Sequence, residues 1–377
     1  MGRPGDSAMT RTLAAAALIL SVVVSIPARQ KDTTVPELID VFVAGDGGYH
    51  TYRIPSAILA PNGTLLAFAE GRRGGAGDAG DIDLVLRRSH DGGRSWAPLQ
   101  IIGDNGPNTF GNPCAVVDAR TNTVWLLTTQ NRGTDREKDI IAGTSDGSRT
   151  VWVMRSQDDG VSWSTPVEIT SSVKARDWTW YATGPGVGIQ TRDGRLVVPA
   201  NHAEAQTGIH RSHLFFSDDG GKSWTLGATS DAGTNESQVV ELADGRLLLN
   251  MRNHPPKPDN FRMIARSDDG GRTLSAAVPD RALIEPPAQA SLIRFSTAKA
   301  RDQNRLLFAN PASAARERMT VRVSDDEGLT WPVSRVVHDG PAAYSSLVVL
   351  PDGTIGVLFE RGDRSPYERI TLARFTL

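Results

Sequence analysis

An octapeptide of the form Ser-x-Asp-x-Gly-x-Ser/Thr-Trp recurs five times in the chain, at Ser89 to Trp96, Ser156 to Trp163, Ser217 to Trp224, Ser267 to Leu274 and Ser324 to Trp331. The copies start 67, 61, 50 and 57 residues apart, so one module of near-constant size is repeated. Only the fourth departs, with Leu274 where the others carry Trp. The residue types suit a hairpin turn: the Asp carboxylate accepts local backbone N–H bonds, and Gly takes positive φ. Each copy follows a strand-like run, such as Leu84-Val85-Leu86 or Leu214-Phe215-Phe216.

A second turn signal interleaves with the first. Asn62-Gly63, Asp193-Gly194, Asp244-Gly245 and Asp352-Gly353 each precede an apolar run, and Thr121-Asn122 and Gln303-Asn304 fill the two gaps. Six such hairpins, with four strands per module, predict an all-β fold, a six-bladed β-propeller with Asp-box hairpins. The last strand, Ile370 to Leu377, is expected to pair with one near Leu38 to Ala44 and close the ring. No long helical pattern or low-complexity linker interrupts the chain, which reads as one domain over 36–377.

The formal net charge of −2 and a pI of about 6.4 provide no basic field of the kind that nucleic-acid binding exploits. The single cysteine, Cys114, excludes an intrachain disulfide and reads as core packing. Leu13 to Ile26 is apolar but too short for a bilayer of about 30 Å. With Arg11 before it and Pro27-Ala28-Arg29 after it, residues 1–28 read as a secretory signal peptide, and the mature protein as secreted or periplasmic without stable membrane insertion. The octapeptides lack the alternating ligands and distal Glu of a helix-loop-helix calcium loop, and no His-Glu-x-x-His pair occurs. No metal and no cofactor is expected.

Tyr52-Arg53-Ile54-Pro55, placed upstream of the octapeptides, changes the specificity of the reading. Together the two motifs resemble the exo-sialidases of glycoside hydrolase family 33, from about Val43 to Leu377. Sialic acid carries a carboxylate on its anomeric carbon, which calls for donors in fork geometry, and arginine supplies them. The resemblance implies three arginines on that carboxylate: Arg53, Arg252 in Asn250-Met251-Arg252, and Arg316, with Arg318 a close alternative. It implies Tyr344 as nucleophile with Glu236 taking its proton, because a carboxylate would be repelled by the one already on the reacting carbon. Asp78, in the glycine-rich stretch from Gly74 to Asp83, matches the acid/base, with Asp81 as fallback. Glu360 matches the glutamate that orients the first arginine, and a buried arginine needs such a partner.

The segment from Asp177 to Gly186 also resembles the family's and is expected to place aromatic side chains near the pocket. Arg72, Arg73, Arg87 and Arg88 read as surface cations, one of the first pair being a candidate pocket residue. Two functions follow: a retaining exo-α-sialidase acting on sialylated glycans, or a non-catalytic propeller that binds them. A trans-sialidase usually carries a further lectin-like domain, for which the chain leaves no length.

Overall fold

A computed structural model describes residues 1–2, 35–254, 260–301 and 303–377; the expected signal peptide lies outside the described residues. The fold is all-β, with helix confined among the described residues to short pieces such as Glu137–Ile141 and Thr170–Val173. Strands are ordered in sequence within antiparallel meanders of four. The first comprises Thr51–Leu59, Leu65–Arg72, Ile82–Ser89 and Gln100–Gly103. The second begins at Thr109–Asp118, and the fourth runs from Thr234–Glu241 through Leu247–Asn253 and Phe261–Ser267 to Val278–Ile284.

The long strand Val333–Val349 ends the fifth meander and opens the sixth. In the sixth, Ile355–Arg361 pairs with Arg369–Phe375, which pairs with Glu37–Val43 from the other end of the described chain (Glu37 opposite Arg374, Val43 opposite Arg369). This is the closing pair anticipated from the sequence, and it explains why five octapeptides serve six meanders among the described residues. The octapeptide joins third to fourth strands, and in the sixth the fourth strand is supplied by Glu37–Val43, so no such turn is needed.

Each octapeptide forms the same hydrogen-bonded turn. In the first, Ser89 Oγ accepts from Gly93 N at 2.7 Å, and Asp91 accepts from Ser95 N at 2.9 Å and Ser95 Oγ at 2.6 Å. Ser217, Asp219, Gly221 and Ser223 repeat this pattern. Gly221 sits at φ +87°, and a Cβ there would lie 2.2 Å from the Trp125 ring. Gly221→Ala is therefore expected to destabilise the protein by about 2 kcal/mol or more, from backbone strain and overpacking together. Denaturant unfolding measures it, and a midpoint equal to that of the parent would refute the packing account.

Apolar clusters lie between successive meanders. Leu66, Phe68, Leu84, Leu126 and Met154 join the first to the second, and Val197, Phe216, Leu247 and Met251 join the third to the fourth. Val41, Phe42, Tyr52, Leu358 and Leu372 join the sixth back to the first. Such radial packing is consistent with a β-propeller. Cys114 is fully buried beside Val116, Trp125 and Leu127, as a small apolar side chain would be.

The first and second strands of a meander run antiparallel, so the start of one and the end of the other meet at the same edge of the sheet. Arg53 and Glu236 lie toward the starting ends of first strands, Tyr344 near the start of the part of Val333–Val349 that pairs with Ile355–Arg361, and Arg72, Arg252 and Glu360 near the ends of second strands. All therefore share one end of the meanders, and both families of turn signal fall at the other.

Candidate active site

At that end lies a cavity of about 440 Å³ whose lining includes Arg53, Glu70, Arg72, Asp78, Asn112, Glu137, Arg149, Trp180, Glu236, Arg252, Arg316, Tyr344 and Tyr367. Its floor is organised by Glu360, which is fully buried. Arg53 donates to it through Nε at 3.0 Å and a terminal nitrogen at 3.3 Å, while the backbone N–H groups of Ile54 and Tyr344 donate at 3.0 and 3.1 Å. One carboxylate thus fixes a guanidinium and the strand that carries Tyr344. Ile54 takes φ +60°, a conformation that a β-branched residue adopts only under constraint, and the register shifts between Arg53 and Ser56. The bond from Ile54 N to Glu360 holds that kink.

Tyr344 Oη donates to Glu236 Oε1 at 2.5 Å, and Arg252 donates to Glu236 Oε2 at 2.8 Å and to Tyr344 Oη at 3.4 Å. Burial, followed by the neighbouring Glu236 carboxylate, pushes the phenol well above its ordinary range, against the pull of Arg252, Arg316 and Arg53. The proton therefore rests on the phenol oxygen, already aimed at its acceptor. The Arg53 and Arg316 guanidinium carbons lie 5.0 and 5.4 Å from the centre of the Tyr344 ring.

Arg316 lies in the cavity, donating to Tyr367 Oη and to the Pro287 carbonyl, the latter at 2.7 Å. Arg318 is instead 57% exposed and reaches Asp339 at 3.8 Å. Arg316 is thus the one that joins Arg53 and Arg252. Asp78 is half open to the cavity, 2.8 Å from Arg72 and 3.6 Å from Arg53. Burial pushes its carboxyl up, but Arg72 and then Arg53 outweigh this and hold it below the usual carboxylate range. Asp81 faces Arg73 at 3.3 Å and is not part of the cavity wall.

The surface reading of Arg72 is corrected. It is 2% exposed and held by Glu70 at 2.5 Å, whose other oxygen accepts from Asn112 N at 2.7 Å. Arg73 keeps a partly exposed side chain paired with Asp83. Of the aromatic segment, Trp180 reaches the cavity, whereas Trp178 stacks on His202 and Tyr181 is buried in the core. Sequence reasoning missed Glu70, Asn112, Glu137, Arg149 and Tyr367. The alternation of Glu70 and Arg72 on one strand face was a usable signal for that pair. Among the described residues no cluster of three or more His, Cys, Asp or Glu could hold a metal, and no helix is long and apolar enough to cross a membrane.

Comparison with known proteins follows the same lines. Residues 63–357 match the BNR repeat-like domain family. The chain is 36% identical to a sialidase of Micromonospora viridifaciens over 352 residues, covering 89% of this chain and 53% of that protein. It is 34% identical to an exo-alpha-sialidase of Aspergillus fumigatus over 363 residues, covering 88% of this chain and 85% of the relative. The chain therefore spans about half the length of the first relative and most of the second. Among solved structures, the Hadza microbial sialidase Hz136 superposes with a TM-score of 0.82 at 31% identity, over 90% of this chain and 68% of that one. A Trypanosoma rangeli sialidase in complex with 2,3-difluorosialic acid as a covalent intermediate shares the fold, with a TM-score of 0.75 at 20% identity over 90% of this chain and 58% of that one.

Proposed function

Given that the chain belongs to the sialidase family, we propose that it is a retaining exo-α-sialidase that removes terminal sialic acids from glycoconjugates, built as a six-bladed propeller on its four-stranded meanders. The observation that carries this reading is the 2.5 Å contact of Tyr344 Oη with Glu236 inside an arginine-lined cavity. Arg53, Arg252 and Arg316 hold the substrate carboxylate. Tyr344 Oη attacks the anomeric carbon as its proton passes to Glu236, and the bond to the aglycone oxygen breaks as Asp78 protonates that oxygen. In the second half, water attacks the same carbon as Asp78 takes its proton. The bond to Tyr344 breaks, and Glu236 returns the proton to the phenolate. A neutral phenol approaches a carbon bearing a carboxylate without like-charge repulsion. Part of the same reading, resting on the sequence alone, is that residues 1–28 act as a leader that would carry the activity outside the cytoplasm.

A non-catalytic sialoglycan-binding propeller would use the arginines but has no need of the tyrosine–glutamate pair. Incubation with defined sialosides, scoring free sialic acid, transfer products and the first anomer by NMR, separates the readings. Free sialic acid appearing first as the α-anomer is expected, since two inversions give net retention. Early β-anomer would exclude the tyrosyl route, and binding without release would support the lectin.

A further inference from the structure

Tyr344 Oη and Glu236 stand 2.5 Å apart, yet they belong to the sixth and fourth meanders, which are not neighbours. So short a contact between side chains of two separate sheets needs something to set those sheets against each other. The segment Gly184-Pro185-Gly186, outside the cavity lining, is tied to several meanders at once. Gly184 N donates at 2.8 Å to the Pro199 carbonyl, in Leu196–Glu204 of the third meander, and Gly186 pairs with Cys114 of the second. The Gly186 carbonyl accepts from Ser56 Oγ of the first at 2.8 Å. A Cβ on Gly186 would lie 2.6 Å from the Gln238 amide, so no larger residue fits there.

The Pro185 carbonyl joins the other three. It accepts from Gln238 Nε2 at 3.0 Å and from Gln289 Nε2 at 3.1 Å. Gln238 lies two residues beyond Glu236 on Thr234–Glu241, and Gln289 stands just before Ser291–Ser296, the first strand of the fifth meander. Gln289 also brackets the residue that follows Tyr344: its Oε1 accepts from Ser345 N at 3.0 Å, and its Nε2 donates to the Ser345 carbonyl at 2.9 Å. Both glutamines are 1% exposed, and neither lines the cavity. A buried amide whose oxygen and both N–H bonds are engaged makes a stiff link, because displacement leaves buried polar groups unpaired.

Resting on the sialidase reading, we infer that Gln289 is a positioning residue for the tyrosine–glutamate pair, with Gln238 as its counterpart across the shared Pro185 carbonyl. Gln289 holds the backbone beside Tyr344, and Gln238, which also donates to the Ser237 carbonyl at 3.1 Å, holds the backbone beside Glu236. One carbonyl oxygen thus fixes the fourth meander against the sixth. Glu360 also holds Tyr344 N, but from within the sixth meander, so it cannot set that spacing. The three arginines have partners of their own in Glu360, Glu236 and the Pro287 carbonyl. Loss of the link therefore costs turnover rather than carboxylate binding, and a misplacement of about 1 Å can cost about 10²-fold.

The test measures kcat on an aryl sialoside per sialic acid-binding site, counted by calorimetric titration of free sialic acid, so that unfolded protein drops out. At about pH 5, where a buried carboxyl keeps its proton, Gln289→Glu retains an acceptor for Ser345 N and one donor, whereas Gln289→Met retains neither. Gln289→Glu should lower kcat per site about tenfold and Gln289→Met up to about a hundredfold, with sialic acid affinity within about twofold of the parent's. Added to Tyr344→Phe, Gln289→Glu should cost no further turnover, because the pair it aligns is already gone. An equal further loss overturns the proposal, since a purely structural role predicts it. A parental kcat per site in Gln289→Glu overturns it, as does a smaller loss in Gln289→Met than in Gln289→Glu. Loss of sialic acid binding by Gln289→Glu overturns it too, by assigning the glutamine to the fold or the carboxylate site. Release of no sialic acid from any sialoside by the parent protein would instead sink the sialidase reading itself.

Discussion

Tyr344→Phe is expected to lower kcat by about three orders of magnitude or more, roughly 4 kcal/mol of transition-state stabilisation, while affinity for free sialic acid stays nearly unchanged. The split follows from what the substitution leaves in place. The phenyl ring still lies beside the Arg53 and Arg316 guanidinium groups, and the backbone N–H still donates to Glu360. Glu236 loses the phenol but keeps Arg252 at 2.8 Å, so no buried carboxylate is stranded. Only the attacking oxygen is gone. Steady-state kinetics paired with calorimetric titration of sialic acid separates the two quantities. Turnover near the parental rate would refute Tyr344 as the nucleophile, and a lost affinity would show that its oxygen serves binding instead.

The turns were legible because they are local. A Ser, an Asp and a Gly at fixed offsets satisfy each other's hydrogen bonds within eight residues, so the octapeptide specifies its own geometry wherever it occurs. The pairing of Glu37–Val43 with Arg369–Phe375 was legible from the strand-like runs near Leu38 to Ala44 and Ile370 to Leu377, which a closed ring would join. Arg53, Arg252, Arg316, Glu236 and Tyr344 were found through motifs, and the fold brings them to one cavity. Arg149 carries no comparable mark. Its guanidinium lies against Trp180, which comes from another meander and leaves no periodic trace near residue 149. The electrostatics of Asp78 were equally hidden. A general acid must hold a proton, yet the two arginines that oppose this, Arg72 and Arg53, come from different strands.

That opposition leads to the second large effect. Asp78 is held low by Arg72 and Arg53, which favours its ionised form. Binding the substrate carboxylate beside Arg53 adds a negative charge to the same field, which offsets the arginines and raises the Asp78 carboxyl. The sign is definite: substrate binding should take up a proton at mildly acidic pH, and the pKa assigned to Asp78 should be higher in kcat than in kcat/KM, since the first reports the bound state and the second the free one. Asp78→Ala should lower kcat on natural sialosides by about 10²–10⁴-fold and remove that pH difference. With an aryl leaving group that departs unprotonated, the same variant should still glycosylate Tyr344 and then stall, because the attacking water lacks its base. Intact mass spectrometry would show the added sialyl group. Normal turnover of natural sialosides by Asp78→Ala would pass the acid/base role to another carboxylate, and Glu137, the neighbouring carboxyl in the cavity that burial already pushes up to about 7, would be the group to replace next.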